Sequence, residues 1–207
     1  MMFRTAPCIA AALVLSGCAA MSEQACLVSD WRTVGFEDGA AGRPVGTIGR
    51  YREACAKHGV SPDLESYRAG HSEGLEVYCR PGRGFDVGRS GGLYRGVCPA
   101  DLEPEFLAAY QSGRRLYELE SSVSRIDGLI ASNAREQERI KQELTEIAAS
   151  IASSETSTEE RVRLVAEAAE LGKRHGELSA ENDALREERA VAAAELDAYR
   201  QTLASGF

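Results

Sequence analysis

From Leu116 to Ile151 the apolar residues Leu116, Leu119, Val123, Ile126, Ile130, Ile140, Leu144, Ile147 and Ile151 recur at alternating steps of three and four. Asn133 and Gln137 fill the two slots where the pattern would lapse. Only a helix packed lengthwise on another helix needs such a seam. The stretch Ala152-Ser-Ser-Glu-Thr-Ser-Thr158 has no large apolar residue and many side chains that compete for backbone hydrogen bonds, so it reads as a turn. Ser157 with Glu160 fits a capping box that restarts a helix. A second seam follows through Leu164, Ala168, Leu171, His175, Leu178, Asn182, Leu185, Arg189, Ala192, Leu196, Tyr199 and Leu203. The two seams are expected to fold on each other as an antiparallel hairpin within one chain, in preference to a coiled coil between chains. One register pairs Ile147 with Leu164, Leu144 with Ala168, Ile140 with Leu171, Ile126 with Leu185 and Leu116 with Leu196. It sets Gln137 opposite His175 and Ile130 opposite Asn182, a polar middle read as fixing the register at some cost in stability. At 1.5 Å per residue the outgoing seam runs ~55 Å, and the return helix ends with Tyr199 and Leu203 near Gly113 and Ala109.

The net charge of −8 falls almost wholly on this half: Leu116–Phe207 carries 11 Lys plus Arg against 19 Asp plus Glu. An acidic hairpin disfavours nucleic-acid binding, and its charges read as a solvated face. At the other end, Arg4 precedes an apolar run from Cys8 to Leu15 that is too short to span a bilayer. The run ends in Leu15-Ser-Gly-Cys18, which resembles the bacterial lipoprotein signal. That resemblance implies removal of residues 1–17, with Cys18 as the mature N-terminus carrying acyl chains such as palmitate. More than one chain gives lasting attachment. Ala19, where an Asp would favour retention in the inner membrane, points to the periplasmic face of the outer membrane.

Cys8 leaves with the signal and Cys18 takes lipid, so Cys26, Cys55, Cys79 and Cys98 remain. In an oxidising periplasm they read as two disulfides. Asp30 caps a helix from Trp31 to about Ala40, and a second runs from about Ile48 to His58, stopping at Gly59. Ser61-Pro62 starts a third that reaches about Tyr78. A tight hairpin of the first two helices brings Cys26 beside Cys55, whereas Cys55 and Cys79 lie at opposite ends of the third. The expected pairs are therefore Cys26–Cys55 and Cys79–Cys98. The glycine-rich stretch between Cys79 and Cys98 reads as an irregular closed loop, whose Arg80, Arg83, Arg89 and Arg95 would suit an anionic contact. A weak echo links Trp31 and Gly35-Phe-Glu-Asp-Gly39 with Tyr67-Arg-Ala-Gly70-His-Ser-Glu-Gly74 and with Tyr110-Gln-Ser-Gly113. It reads as close helix packing, with a ligand groove lined by Trp31, Tyr67 and Tyr110 as the alternative.

These landmarks form a set: Trp31-x3-Gly35-x2-Asp38-Gly39, Cys55-x2-His58-Gly59, Pro62-Asp63-x3-Tyr67-x2-Gly70-x3-Gly74-Leu75-x2-Tyr78-Cys79, Tyr94-x-Gly96-Val97-Cys98-Pro99 and Phe106-x3-Tyr110-x2-Gly113. Together they resemble a family of bacterial lipoproteins known as domain of unknown function 2799, over roughly Cys26 to Leu119. The family implies kinship without an activity.

The sequence thus predicts an all-α protein. After the signal (1–17) and a lipidated linker (18–28) comes a small disulfide-braced helical head with a glycine-rich loop (29–115), then a long antiparallel coiled-coil hairpin (116–207). Gly88-Arg-Ser90-Gly-Gly92 satisfies a nucleophile-elbow pattern in letters, but without the strand and sheet the chemistry needs. Cys55, His58, His71, Cys79 and Cys98 have no regular zinc spacing. No cofactor is expected. The leading expectation is a non-enzymatic envelope lipoprotein, a spacer or protein-interaction module held to the membrane by Cys18, with an envelope partner on the hairpin. The alternative is a head that binds a small ligand or glycan, or a weak periplasmic hydrolase, using Trp31, Tyr67 and Arg89.

Overall fold

The computed structural model describes residues 21–205, and the described residues are helical without a strand. The signal segment and Cys18, with the expected lipid, lie outside them. The helices are α1 (Glu23–Val28), α2 (Trp31–Ala40), α3 (Ile48–Ala56), α4 (Leu64–Tyr78), α5 (Pro81–Arg89), α6 (Glu103–Ala152) and α7 (Thr158–Ser205), and a 3-10 turn, Val45–Thr47, leads into α3. Two compact units share them. One holds α1 to α4 up to Arg80, with Tyr94–Pro104; the other holds Pro81–Leu93 and everything from Glu105 onward. This division differs from a boundary at residue 115.

In the first unit Asp30 caps α2 by accepting from the backbone N–H groups of Arg32 and Thr33. α4 starts two residues later than the Ser61-Pro62 reading, because Asp63 accepts from the N–H groups of Glu65 and Ser66 and so takes the cap position. α1 has no counterpart in the sequence reading. It is a single capped turn that carries Cys26 to its partner. The bonds are Cys26–Cys55 and Cys79–Cys98, each with Cα atoms 5.6 Å apart, so the expected pairing holds. The core gathers Cys26, Trp31, Ile48, Cys55 and Tyr67.

The glycine-rich stretch after Cys79 is not an irregular loop throughout. Pro81–Arg89 forms α5. Pro81 suits the first helical position, and Gly84 and Gly88 are the residues α5 turns against α6, so packing offsets their low propensity. Only residues 90–102 remain irregular.

In the second unit α6 and α7, of 50 and 48 residues, pair antiparallel within one chain around the turn 153–157. Ser157 accepts the Glu160 N–H at 3.2 Å, as the capping box requires. The register is one seam step away from the expected one. Gln137 donates to the carbonyl of His175 and accepts from the Asn182 amide, both at 3.4 Å. It therefore stands against Leu178, midway between them, and not against His175. Asp127 pairs with Arg189 at 2.9 Å, and the flanking pairs Arg115–Glu195 and Glu120–Arg200 agree. At helical spacing this sets Leu144 on Leu171 and Asn133 on Asn182. The seam repeats at each step, so apolar matching alone does not separate neighbouring registers. The ion pairs and the grouping of three polar amides do. Tyr199 donates to the Ser112 carbonyl at 3.0 Å, and Leu203 joins Leu116, Leu119 and Leu196, so α7 ends beside the start of the paired stretch.

Candidate functional site: glycine crossings and a buried carboxylate

Four glycines let α2 and α4 touch backbone to backbone. A methyl group at Gly35 would collide with the carbonyl of Tyr67, at Gly39 with that of His71, at Gly70 with that of Arg32 and at Gly74 with that of Phe36. Gly42 ends the turn after α2 at φ 68°, against the Tyr78 ring, where no side chain fits.

Asp38 sits inside this crossing, 1% exposed, with Tyr67 at 0%. An isolated buried carboxylate is costly, and here it is fully supplied with donors. Tyr67 donates to it at 2.6 Å, Tyr51 at 3.2 Å and Arg43 at 2.6 Å. His71 Nε2 lies 2.7 Å from the Arg43 carbonyl, and its ring stacks on Tyr67 with centroids 6.0 Å apart. Burial, then the bond to Asp38, pushes the Tyr67 hydroxyl pKa far up, and burial with the Asp38 charge raises that of Tyr51. The Asp38 bond raises the already high pKa of Arg43. Both phenols therefore stay protonated at neutral pH, and the cluster braces the crossing; neither phenol is poised to release a proton.

The second unit repeats the crossing position by position. Gly84-Phe85-x2-Gly88-x2-Gly91 matches Gly35-Phe36-x2-Gly39-x2-Gly42. Phe106-x2-Ala109-x3-Gly113-x3-Tyr117 matches Tyr67-x2-Gly70-x3-Gly74-x3-Tyr78. Gly84 meets the carbonyl of Phe106 as Gly35 meets that of Tyr67, Gly88 meets that of Tyr110 as Gly39 meets that of His71, and Gly113 meets that of Phe85 as Gly74 meets that of Phe36. Gly91, at φ 74°, lies against the Tyr117 ring. Phe106 stacks on Tyr110 at 6.3 Å, and Tyr110 donates to the Gly92 carbonyl at 3.1 Å, where His71 meets that of Arg43. The weak echo in the sequence is thus a tandem repeat of a helix pair, with partners other than those the sequence reading matched. One difference stands out: Val87 and Phe106 occupy the places of Asp38 and Tyr67. The crossing forms without a carboxylate, so the polar cluster belongs to the first repeat alone. Laying GFEDG over GFDVG in the sequence would have exposed both the repeat and Asp38.

Trp31 and Tyr67 come together through Tyr51, with ring centroids 6.2 and 6.3 Å from it, as members of the core. Arg89 lies exposed in the last turn of α5, in the other unit. A groove of about 510 Å³ in the first unit is lined by Arg52, Glu53, Gly59, Ser61 and Pro62 among others, and by neither Trp31 nor Tyr67. Cys55, Cys79 and Cys98 are spent in disulfides, and among the described residues no three His, Cys, Asp or Glu side chains gather as metal ligands. The Ser90 hydroxyl donates to the Val87 carbonyl at 3.0 Å. No described helix is long and apolar enough to cross a membrane.

These features define a class: an all-helical protein whose disulfide-braced, glycine-packed helix pairs lead into an antiparallel hairpin. Within it, residues 30–115 match the family described as protein of unknown function (DUF2799), a span that takes in the first repeat and the second up to Arg115. No curated protein and no solved structure matches the chain.

Proposed function

We propose that this chain is a non-enzymatic lipoprotein of the cell envelope, held to the membrane by acyl chains on Cys18, with the hairpin as spacer and protein-binding arm. The observation that carries the reading is the hairpin itself. It extends through helices of 50 and 48 residues and leaves Leu129, Val162, Val165 and Val191 between 41% and 71% exposed, side chains its own pairing does not cover. The acidic surface supports a protein partner over nucleic acid. The Leu15-Ser-Gly-Cys18 signal supports the anchor and the periplasmic face of the outer membrane. The braced, donor-saturated Asp38 cluster supports a non-catalytic head.

Two variants test the two halves of the reading. Cys18→Ala should move the protein from the membrane fraction to the soluble one. Deleting Leu116 to Phe207 should abolish co-purification of envelope partners; undiminished recovery of the same partners would refute the binding arm.

A further inference from the structure

The hairpin is periodic along its length, but its polar layer is incompletely matched. Asn133 Nδ2 and Asn182 Oδ1 are buried without a hydrogen-bond partner, and the Gln137 amide spans two turns of α7 with two long bonds. Ile140 stands against His175, and Ile126 against Arg189. Sliding α7 by one seam step toward the start of α6 sets Ile140 on Leu171, Ile126 on Leu185, Ile147 on Leu164 and Gln137 on His175. That arrangement is nearly as apolar as the observed one, and its own mismatches are Val123 on Arg189, Ile130 on Asn182 and Asn133 on Leu178. The turn favours this direction. Leu164 now faces Ile151, so the first turn of α7 runs past the end of α6, and Val162 is 69% exposed there. Arg161 reaches back to the carbonyls of Ile151, Ser153 and Thr156. The slide brings this overhang level with α6, whereas the opposite slide lengthens it.

We infer that the hairpin is a two-register device, in which α7 shifts along α6 by one seam step of about 5 Å between the observed pairing and the one that sets Leu171 on Ile140. Asn133, Gln137 and Asn182 keep the two states close in free energy, because neither register satisfies all of them. The ion pairs Arg115–Glu195, Glu120–Arg200 and Asp127–Arg189 hold the observed state. In the other state Glu120 comes level with Asp197, a like charge. The device couples the turn at 153–157 to the far end of α7, and this inference stands whether or not Cys18 carries lipid.

Three cysteine pairs sharing Leu171→Cys test it in the full chain with its native disulfides formed. Leu144→Cys reports the observed register, Ile140→Cys the shifted one and Ile147→Cys the opposite slide. Under mild oxidation, with helicity checked by circular dichroism, the Ile140 pair should bridge at least ~10-fold faster than the Ile147 pair. Equal rates for these two would mean simple breathing and overturn the inference. A charge test gives an independent reading. Glu120→Arg repels Arg200 and attracts Asp197, so it should raise bridging of the Ile140 pair roughly two- to fivefold, the range expected of an exposed pair. Adding Arg200→Glu should reverse the gain. No change in either variant would also overturn the inference.

Discussion

The glycines are the residues on which the head depends most directly. Gly39 and Gly74, and their counterparts Gly88 and Gly113, each face main-chain atoms of the opposing helix, which cannot step aside as a side-chain tip can. Gly39→Ala or Gly113→Ala should cost about 1–3 kcal/mol or more in urea unfolding. Gly128→Ala has open space around it and should stabilise α6 by about 0.5–1 kcal/mol. Asp38 gives a sharper test. Asp38→Val alone leaves the Tyr67 hydroxyl and Arg43 without their acceptor and should destabilise by about 1–3 kcal/mol. Adding Tyr67→Phe rebuilds the Val87–Phe106 pair of the second repeat, so a double-mutant cycle should recover part of that loss. Strict additivity would contradict the equivalence of the repeats. Asp63 provides a pH dependence. Its carboxyl is held below the ordinary range, first by the Ser66 N–H, then by the Ser66 hydroxyl. A lowered native pKa means stability that is present above the ordinary range and lost as pH falls through the native value. Asp63→Asn keeps an acceptor at the cap, and acid melting followed from about pH 6 to about pH 2 should be flatter for it than for the native chain.

At the scale of elements, the legible parts were those with strong local chemistry. The seams, the Ser-rich turn and the Asp30 cap each follow from side chains that act within a few residues. The cysteine pairing followed once helix ends were placed. α5 was illegible because Pro81 at its start, Gly82, Gly84 and Gly88 within it and Gly91 and Gly92 just beyond it read as breakers, and only contact with α6 explains why a glycine-rich segment stays helical. The register was illegible because a periodic seam matches itself at every step; long-range pairs such as Asp127–Arg189 decide it. The Asp38 cluster was hidden because its members come from α2, the following turn, α3 and α4. The polar layer of the hairpin has a stability cost that can be measured. Asn133→Leu with Asn182→Leu replaces two buried, incompletely bonded amides, and it should raise the melting temperature of the hairpin. Loss of Cys79–Cys98, through Cys79→Ala with Cys98→Ala, should cost about 3–4 kcal/mol by the chain-entropy argument, read by urea unfolding.

At the scale of the whole molecule, the two units are stabilised in different ways. Two disulfides brace the first unit, and glycine crossings join α2 to α4 there and α5 to the start of α6 in the second, where little apolar surface is available to bury. The hairpin carries the net negative charge, and Leu129, Val162, Val165 and Val191 stay exposed along it. The direct measurement is site-specific photo-crosslinking in intact envelopes, with probes at Val165 and Val191 on α7 and at Arg50 and Lys57 on the first unit, read by mass spectrometry. The account predicts crosslinks to an envelope protein from the α7 positions, lost when Val162 and Leu129 are changed to Arg. Crosslinks to other proteins from the first unit alone, with none from α7, would contradict it.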